Sequence, residues 1–330
     1  MGSGKHAICL VSLPYVVPNN LLQSVARMYR TARYQSPPKP LFPDNLEQLS
    51  VRFDAEDNLL WLFMQPEPRP NFNPVLLNSF AKYQQYLTRN HGCIEQNGES
   101  VPVKYQVLAS ATDGVFNYGG DLNLFHQLIL RQDRGALMRY ALACIDILYP
   151  NIRSYELPLT TIALVQGDAL GGGFEAALSC NIIIAERSAQ FGLPEILFNL
   201  FPGMGAYSLL ARKSSRLRAE EIILSGKMYY AEELLEMGIV DKVVPDGTGR
   251  DAVYEYTSQV SKRANGHQAV LNRVRNAVNP VTYKELVDIS DIWVDTALKL
   301  TARDLRMIQT IVKHQNKIVR KSMVGNKKIA

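Results

Sequence analysis

Short apolar runs alternate with amphipathic segments along most of the chain. Residues 50–53 and 58–64 are rich in strand-forming side chains and flank an acidic turn, which predicts a β-hairpin. Apolar residues at helical spacing predict a helix over residues 74–87, whereas residues 101–110 and 160–166 predict buried strands. This alternation of strands and helices predicts an α/β fold.

The second half of the chain continues the pattern and then changes character. It predicts one or two helices over 122–147, a helix over 174–180, a strand over 182–185, and helices over 207–213 and 219–225. From residue 251 onward the periodicity is wholly helical. We therefore expect a helical C-terminal region that lies over the functional site or over a partner subunit.

The first 46 residues differ from the rest. Residues 20–33 predict a helix, and residues 36–43 contain too many prolines for regular structure. The predicted organisation is an N-terminal appendage with a proline-rich linker over 1–46, an α/β core over 47–250, and the helical region over 251–330.

Composition narrows the class of protein. Of 330 residues, 47% are apolar and 20% are charged, which is typical of a globular protein and excludes disordered and collagen-like chains. No apolar run reaches the roughly 18 residues of a membrane helix, and the N-terminus lacks a signal-peptide pattern. The scattered cysteines fit neither a zinc site nor a disulfide framework. These features predict a cytoplasmic protein without membrane insertion.

Two glutamates in distinctive surroundings are the main candidates for chemistry. Glu175 follows three glycines at a predicted helix start, and Glu195 follows Pro194 among apolar residues. A pair of carboxylates suits proton transfer, and a glycine turn that opens a helix offers N–H donors to a developing oxyanion. Taken singly, each glutamate is explained equally well as an ordinary surface residue, and the glycines as a packing turn.

Other catalytic arrangements find less support in the residues. The glycine pair Gly119-Gly120 also follows a predicted strand, and it is explained either as a second oxyanion turn or as a turn capped by Asp121. The histidines are isolated from one another, and no serine lies in a nucleophile-elbow pattern. Metal-dependent and Ser-His-Asp mechanisms are therefore disfavoured, as is a P-loop, because the Lys-Ser/Thr ending is absent.

Several segments together resemble the crotonase (enoyl-CoA hydratase/isomerase) family. They are VQGDALGGGFE at 165–175, FGLPE at 191–195, FPGMG at 201–205 and GIVDKVV at 238–244. The resemblance covers about residues 48–300 and implies a spiral of ββα units that assembles as a trimer or hexamer. It also implies Glu175 and Glu195 as the catalytic residues, with the backbone N–H groups of Tyr118 and Gly172 as oxyanion donors.

A narrower resemblance is to the bacterial diffusible-signal-factor synthases, which make cis-2-unsaturated fatty acid signals. It lies in EILFNLFPGMGAYS at 195–208, where ordinary hydratases typically have Gly near position 199. FNYGGDL at 116–122 and IWVDTA at 292–297 are similar to the same subfamily. The implied reaction is dehydration of a 3-hydroxyacyl thioester followed by hydrolysis of the thioester. The resemblance leaves open which glutamate is the acid.

The resemblance also implies how substrate is carried and held. No cofactor is expected, since the acyl group is carried on the phosphopantetheine of acyl carrier protein or on CoA. Acyl carrier protein is the expected partner, a regulatory protein partner is a further prediction, and no nucleic acid is expected. The substrate-binding candidates, some equally explicable as core, are Gly119, Gly120, Leu170, Gly171, Gly203, Met204 and Trp293.

Two alternatives remain at this point. The first is an ordinary enoyl-CoA hydratase of fatty acid oxidation, which would hydrate trans-2-enoyl-CoA. The second is a non-catalytic crotonase-fold module that binds a partner. The presence of both glutamates and both glycine turns weighs against a binding module, which would have no need of them.

Overall fold

The computed structural model describes residue 42 and residues 46–96, 98–264 and 267–326, without the side chains of 262–264 and 317–326. The predicted N-terminal appendage and its helix therefore lie outside the described residues, apart from Phe42 and Leu46. Within the described part of the chain, none of the helices combines the length and apolarity that a bilayer crossing requires.

The predicted hairpin is present as strands β1 (Leu49–Asp54) and β2 (Leu59–Met64), which pair antiparallel. Every side chain of β2 is buried. Helix α1 (Pro74–Arg89) follows, and Asn73 caps it by accepting the N–H groups of Val75 and Leu76. The predicted strand over 101–110 is instead two strands, β4 (Glu99–Pro102), which pairs with β3 (Cys93–Gln96), and β5 (Tyr105–Ser110).

The central part of the chain repeats a strand–strand–helix unit. The first unit is β5, β6 (Val115–Asn117), α2 (Leu122–Leu130) and α3 (Arg134–Ile152), and the second is β7 (Thr160–Val165), β8 (Asp168–Leu170) and α4 (Gly172–Leu178). The third is β9 (Ile182–Glu186), β10 (Gln190–Gly192), α5 (Ala206–Lys213) and α6 (Arg216–Ser225). In each unit the first strand joins one sheet and the second strand joins another, which gives the predicted spiral of ββα units.

The two sheets are completed by the segments that follow. Strand β11 (Met228–Tyr230), helix α7 (Ala231–Glu236) and strand β12 (Lys242–Val244) come next. Among the described residues, the larger sheet has the order β1-β2-β5-β7-β9-β12, and the smaller has the order β11-β10-β8-β6. Neighbouring strands from successive units are parallel in both sheets.

The C-terminal segment is helical, in agreement with its periodicity. It comprises α8 (Gly249–Ala264), α9 (His267–Val278), α10 (Tyr283–Ala297) and α11 (Ala302–Asn326). Trp293 of α10 and Ile308 of α11 are buried in one apolar cluster with Phe198 and Leu200, which follow the third unit's second strand. These helices thus lie against the segment that carries Glu195.

Two glycines allow the backbone of the second strand–strand–helix unit to contact the backbone of the first unit directly. A Cβ atom at Gly167 would be 2.1 Å from the carbonyl carbon of Gly114, and one at Gly173 would be 2.0 Å from the carbonyl oxygen of Asn117. No side chain fits in either gap, and a backbone carbonyl cannot swing aside as a flexible side chain can. The close approach brings the two glycine turns together.

Replacing Gly173 by alanine should therefore lower the free energy of unfolding by about 3 kcal/mol or more, because the methyl group overlaps a fixed carbonyl. Urea denaturation measures the change. Gly135→Ala is the matched control, since Gly135 also lies in the first turn of a helix and a Cβ there meets only side-chain atoms, the flexible end of Arg139 at 3.3 Å and Oδ1 of Asp133 at 3.7 Å. That control should be neutral or slightly stabilising. Equal stabilities of the two variants would contradict the prediction.

Candidate active site

Pairing of β8 with β10 brings the two glutamate segments together. Leu170 pairs with Gly192, and the Gly171 N–H donates to the Gly192 carbonyl at 2.8 Å. Helix α4 begins directly after this contact and carries Glu175 in its first turn. On the other strand, a short 3₁₀ helix (Pro194–Phe198) begins two residues later and carries Glu195. The pairing register therefore places both carboxylates at the same end of the smaller sheet.

Gly171 permits the second carboxylate to approach the turn. Its backbone has φ 51° and ψ −125°, a conformation that residues with a Cβ rarely adopt. A Cβ at this position would lie 2.6 Å from Oε1 of Glu195. The Glu195 carboxylate thus occupies the space that a side chain would have taken, directly beside the start of α4.

Glu175 is buried, with 1% of its surface exposed. Its Oε1 accepts the N–H groups of Met204 at 2.8 Å and Ala206 at 2.9 Å, at the start of α5. Burial raises the pKa of Glu175 to about 7, and the two hydrogen bonds partly offset this rise. The alternative that Glu175 is an ordinary surface residue is therefore wrong.

Glu195 lacks comparable support. Its Oε2 atom is buried and has no hydrogen-bond partner among the described residues. Burial raises the pKa of Glu195 to about 8, and the negative charge of Glu175 adds to the rise. Both carboxyl groups consequently exchange protons near neutral pH, which is the property that a catalytic acid and base require.

The two glutamates line a cavity of about 140 Å³ whose walls are mostly apolar. Of the predicted substrate-binding residues, Gly120, Leu170, Gly171, Gly203, Met204 and Trp293 line it. Gly119 does not line the cavity but lies behind it, since a Cβ there would be 2.6 Å from the Gly172 nitrogen. Gly203 leaves room for Trp293, whose Cδ1 would be 2.6 Å from a Cβ at that position.

The sequence does not predict part of the cavity wall. Helices α2, α3 and α11 contribute apolar and weakly polar side chains, among them Phe125, Tyr140, Ala141, Cys144, Ile311 and Gln315. The Phe125 ring packs edge-on against Tyr140 at 5.0 Å and lies 4.9 Å from Trp293. In the sequence these positions show only helical periodicity. Such a pattern identifies the buried face of a helix but not whether that face lines a cavity.

Comparison with known proteins identifies the family of this chain. The sequence profile of enoyl-CoA hydratase/isomerase matches residues 76–304. The chain belongs to the enoyl-CoA hydratase/isomerase family. The 2,3-dehydroadipyl-CoA hydratase of Escherichia coli (strain K12) is 35% identical to the chain over 120 residues, which are 36% of this chain and 45% of that enzyme. The match thus spans less than half the length of this relative.

Solved structures of the family's fold align over most of the chain. Pseudomonas aeruginosa DspI aligns with a TM-score of 0.61 and 23% identity, over 73% of this chain and 93% of DspI. An enoyl-CoA hydratase from Bacillus halodurans aligns with a TM-score of 0.68 and 18% identity, over 80% of this chain and 100% of that one. At these identities the alignments establish the crotonase fold.

The predicted oxyanion donor on Tyr118 needs correction. Its backbone N–H donates to the Pro70 carbonyl at 2.7 Å and is therefore not available to a substrate. The N–H groups of Gly120 and Gly172 are engaged by no other described residue, and both residues line the cavity. A Cβ at Gly172 would lie 3.4 Å from the Gly120 nitrogen, so the two glycines are neighbours. We therefore assign the donor pair to Gly120 and Gly172.

Tyr140 holds the Gly120 turn from both sides. Its hydroxyl accepts the Asp121 N–H at 3.0 Å and donates to the Phe72 carbonyl. The Phe72 N–H in turn donates to the Gly119 carbonyl at 2.8 Å. The residues before and after Gly120 are thereby fixed, which orients the N–H group between them.

Tyr140→Phe removes this hydroxyl and keeps the ring in the cavity wall. We expect kcat for thioester substrates to fall about tenfold with little change in KM, because a misoriented oxyanion donor weakens transition-state binding. Steady-state kinetics measures both constants. Tyr149→Phe, in the same helix but outside the cavity, serves as the control and should leave kcat unchanged. An unaltered kcat in Tyr140→Phe would refute the role.

Glu195→Gln should make the protein more stable at alkaline pH. The raised pKa means that the folded state binds the proton more tightly than the unfolded state, whose carboxyl titrates near 4.5. The free energy of unfolding of the wild type therefore declines as the pH rises from about 4.5 to about 8.

Glutamine is neutral at every pH and avoids that decline. We therefore expect the free energy of unfolding of Glu195→Gln to exceed that of the wild type by about 2 kcal/mol at pH 8 and to equal it near pH 4. Thermal unfolding at the two pH values measures it. Glu236→Gln, at an exposed position, should show no such difference. If Glu195→Gln is less stable than the wild type at pH 8, the prediction is wrong, and the fold stabilises the ionised form of Glu195.

Proposed function

We propose that this protein dehydrates 3-hydroxyacyl thioesters to cis-2-enoyl thioesters and then hydrolyses them, which releases a cis-2-unsaturated fatty acid that acts as a quorum-sensing signal. The observation that carries the proposal is that Glu175 and Glu195, both with pKa values raised towards neutrality, line one apolar cavity with two free N–H donors. Such a site suits acid–base chemistry next to a thioester carbonyl.

In the dehydration, the thioester oxygen accepts the N–H groups of Gly120 and Gly172. One glutamate, as carboxylate, removes a proton from C2, and the negative charge moves onto the thioester oxygen. The other glutamate, as carboxylic acid, gives its proton to the 3-hydroxyl group, which leaves as water while the C2–C3 double bond forms. The coupled pair must therefore hold one proton, and pKa values of about 7 and about 8 permit this near neutral pH.

In the hydrolysis, a glutamate carboxylate removes a proton from a water molecule, and the water oxygen attacks the thioester carbonyl. The same two N–H groups stabilise the tetrahedral oxyanion. Collapse of this intermediate breaks the carbon–sulfur bond, and the thiolate takes up the proton. The products are the free fatty acid and the carrier thiol.

The segment that resembles the signal synthases supports this reaction over simple hydration. Residues 195–208 carry Glu195 and supply the Met204 and Ala206 N–H groups that hold Glu175. The sequence therefore departs from ordinary hydratases in the segment that positions both carboxylates. We further propose acyl carrier protein as the substrate carrier, with no cofactor, and a cytoplasmic homo-oligomer.

An ordinary enoyl-CoA hydratase is the second candidate, and one observation favours it. The match to the 2,3-dehydroadipyl-CoA hydratase, at 35% identity over 120 residues, exceeds the identity of the aligned structures described above. Two glutamates can add water to an enoyl thioester as readily as they remove it, because acid–base catalysis works in both directions. The third alternative, a binding module, gains no support from two buried carboxylates that line a cavity.

Incubation of the protein with 3-hydroxydodecanoyl carrier protein, followed by mass spectrometry of the lipids, tests the proposal. We expect free cis-2-dodecenoic acid. Glu175→Gln and Glu195→Gln should each lower the rate by a factor of about 100 or more while keeping the fold, because each removes one proton-transfer group. Glu236→Gln should retain the wild-type rate.

Two other results would count against the synthase. A trans-2-enoyl product that stays on its carrier, with rapid hydration of trans-2-enoyl-CoA, would establish the ordinary hydratase. Absence of turnover with both the acyl carrier protein substrate and the CoA substrate would favour the binding module. Full activity in either glutamine variant would contradict the two-carboxylate mechanism.

A further inference from the structure

Asn199 ends the short helix that carries Glu195. Its backbone is left-handed, with φ 55° and ψ 34°, a conformation that asparagine tolerates better than most residues. Beside it, the Asn199 N–H donates to the Ile196 carbonyl and the Leu200 N–H donates to the Glu195 carbonyl, each at 3.1 Å. The conformation of Asn199 thus closes the turn in which Glu195 lies.

The Asn199 side chain reaches the first turn of α11. Its Nδ2 donates to Oδ1 of Asp304 at 2.7 Å. The other oxygen of Asp304 accepts the N–H of Thr301 at 2.8 Å and its hydroxyl at 2.7 Å. The Asp304 N–H donates to the Thr301 hydroxyl at 3.4 Å, which completes a capping box at the start of the helix. These hydrogen bonds hold the pKa of Asp304 below its usual value, so the carboxylate stays ionised and accepts strongly.

Helix α11 is also part of the cavity wall. Ile308 is buried in the same apolar cluster as Phe198 and Leu200, the two neighbours of Asn199. Further along the helix, Ile311 and Gln315 line the cavity. One hydrogen bond from Asn199 therefore connects the backbone of the Glu195 turn to a helix that encloses the same cavity.

We propose that Asn199 is a positioning residue for Glu195, which acts by fastening the 194–198 helix to Asp304 of α11. Glu195 needs such external support because its Oε2 has no partner of its own among the described residues. The carboxylate is thus held in place through its backbone. The inference rests on the proposed function, in which Glu195 transfers a proton.

Asn199→Gly is the test, since glycine keeps the left-handed backbone and removes only the side-chain contact. With the full-length protein and 3-hydroxydodecanoyl carrier protein, we expect kcat to fall about tenfold while KM changes little, because a displaced acid or base affects chemistry more than binding. Asn58→Gly is the matched control: Asn58 is also left-handed, with φ 54°, but lies in the β1–β2 turn outside the cavity. It should retain wild-type kinetics.

The contact with Asp304 is tested by a double variant. If Asn199 acts through Asp304, Asn199→Gly combined with Asp304→Ala should have the kcat of the slower single variant. Losses that multiply, or an unchanged kcat in Asn199→Gly, would overturn the inference while leaving the proposed function intact.

A measurement that needs no turnover tests the positioning role of Asn199 separately from the proposed function. Hydrogen exchange of the Leu200 amide, which donates to Glu195, should be faster in Asn199→Gly than in the wild type or in Asn58→Gly. A wild-type protein without turnover would contradict the proposed function. Unchanged exchange at Leu200 would overturn the positioning role whatever the activity.

Discussion

The pairing of β8 with β10 is the interaction on which the site depends. Each strand has only three residues, and the Gly171–Gly192 hydrogen bond extends the pairing to the point where the segments that carry Glu175 and Glu195 begin. A shift of one residue in this register would turn the side chains that follow to the opposite face. The carboxylates would then no longer meet. Gly171 permits the two segments to approach, because a Cβ at this position would lie 2.6 Å from Oε1 of Glu195.

The fold buries two carboxyl groups and provides them with different numbers of hydrogen bonds. Glu175 receives two N–H donors, whereas Oε2 of Glu195 receives none from the described residues. Desolvation and the proximity of the pair therefore work against the ionised state.

Most of the larger sheet could be predicted, because five of its six strands among the described residues are five or six residues long and rich in apolar side chains. The smaller sheet could not, since its strands have three residues each, too few to show a period. The residues around Glu175 and Glu195 in the sequence are distinctive enough to mark both glutamates as candidates. The prediction of Tyr118 as an oxyanion donor is wrong because its N–H group donates to Pro70, which is distant in sequence, and the sequence does not reveal that contact. The roles of Tyr140 and Ile311 depend in the same way on contacts between separate elements.

The order of these contacts along the chain explains why they escape prediction. The donors that hold Glu175 lie after Glu195, and the acceptor that supports the Glu195 turn lies in α11, about 100 residues further on. No single ββα unit therefore contains a complete site. The second unit supplies one carboxylate, the third supplies the other together with the clamp on the first, and the C-terminal helices close the cavity. The cavity forms only where all of these elements pack together, whereas each local motif identifies only the candidate groups that it contains.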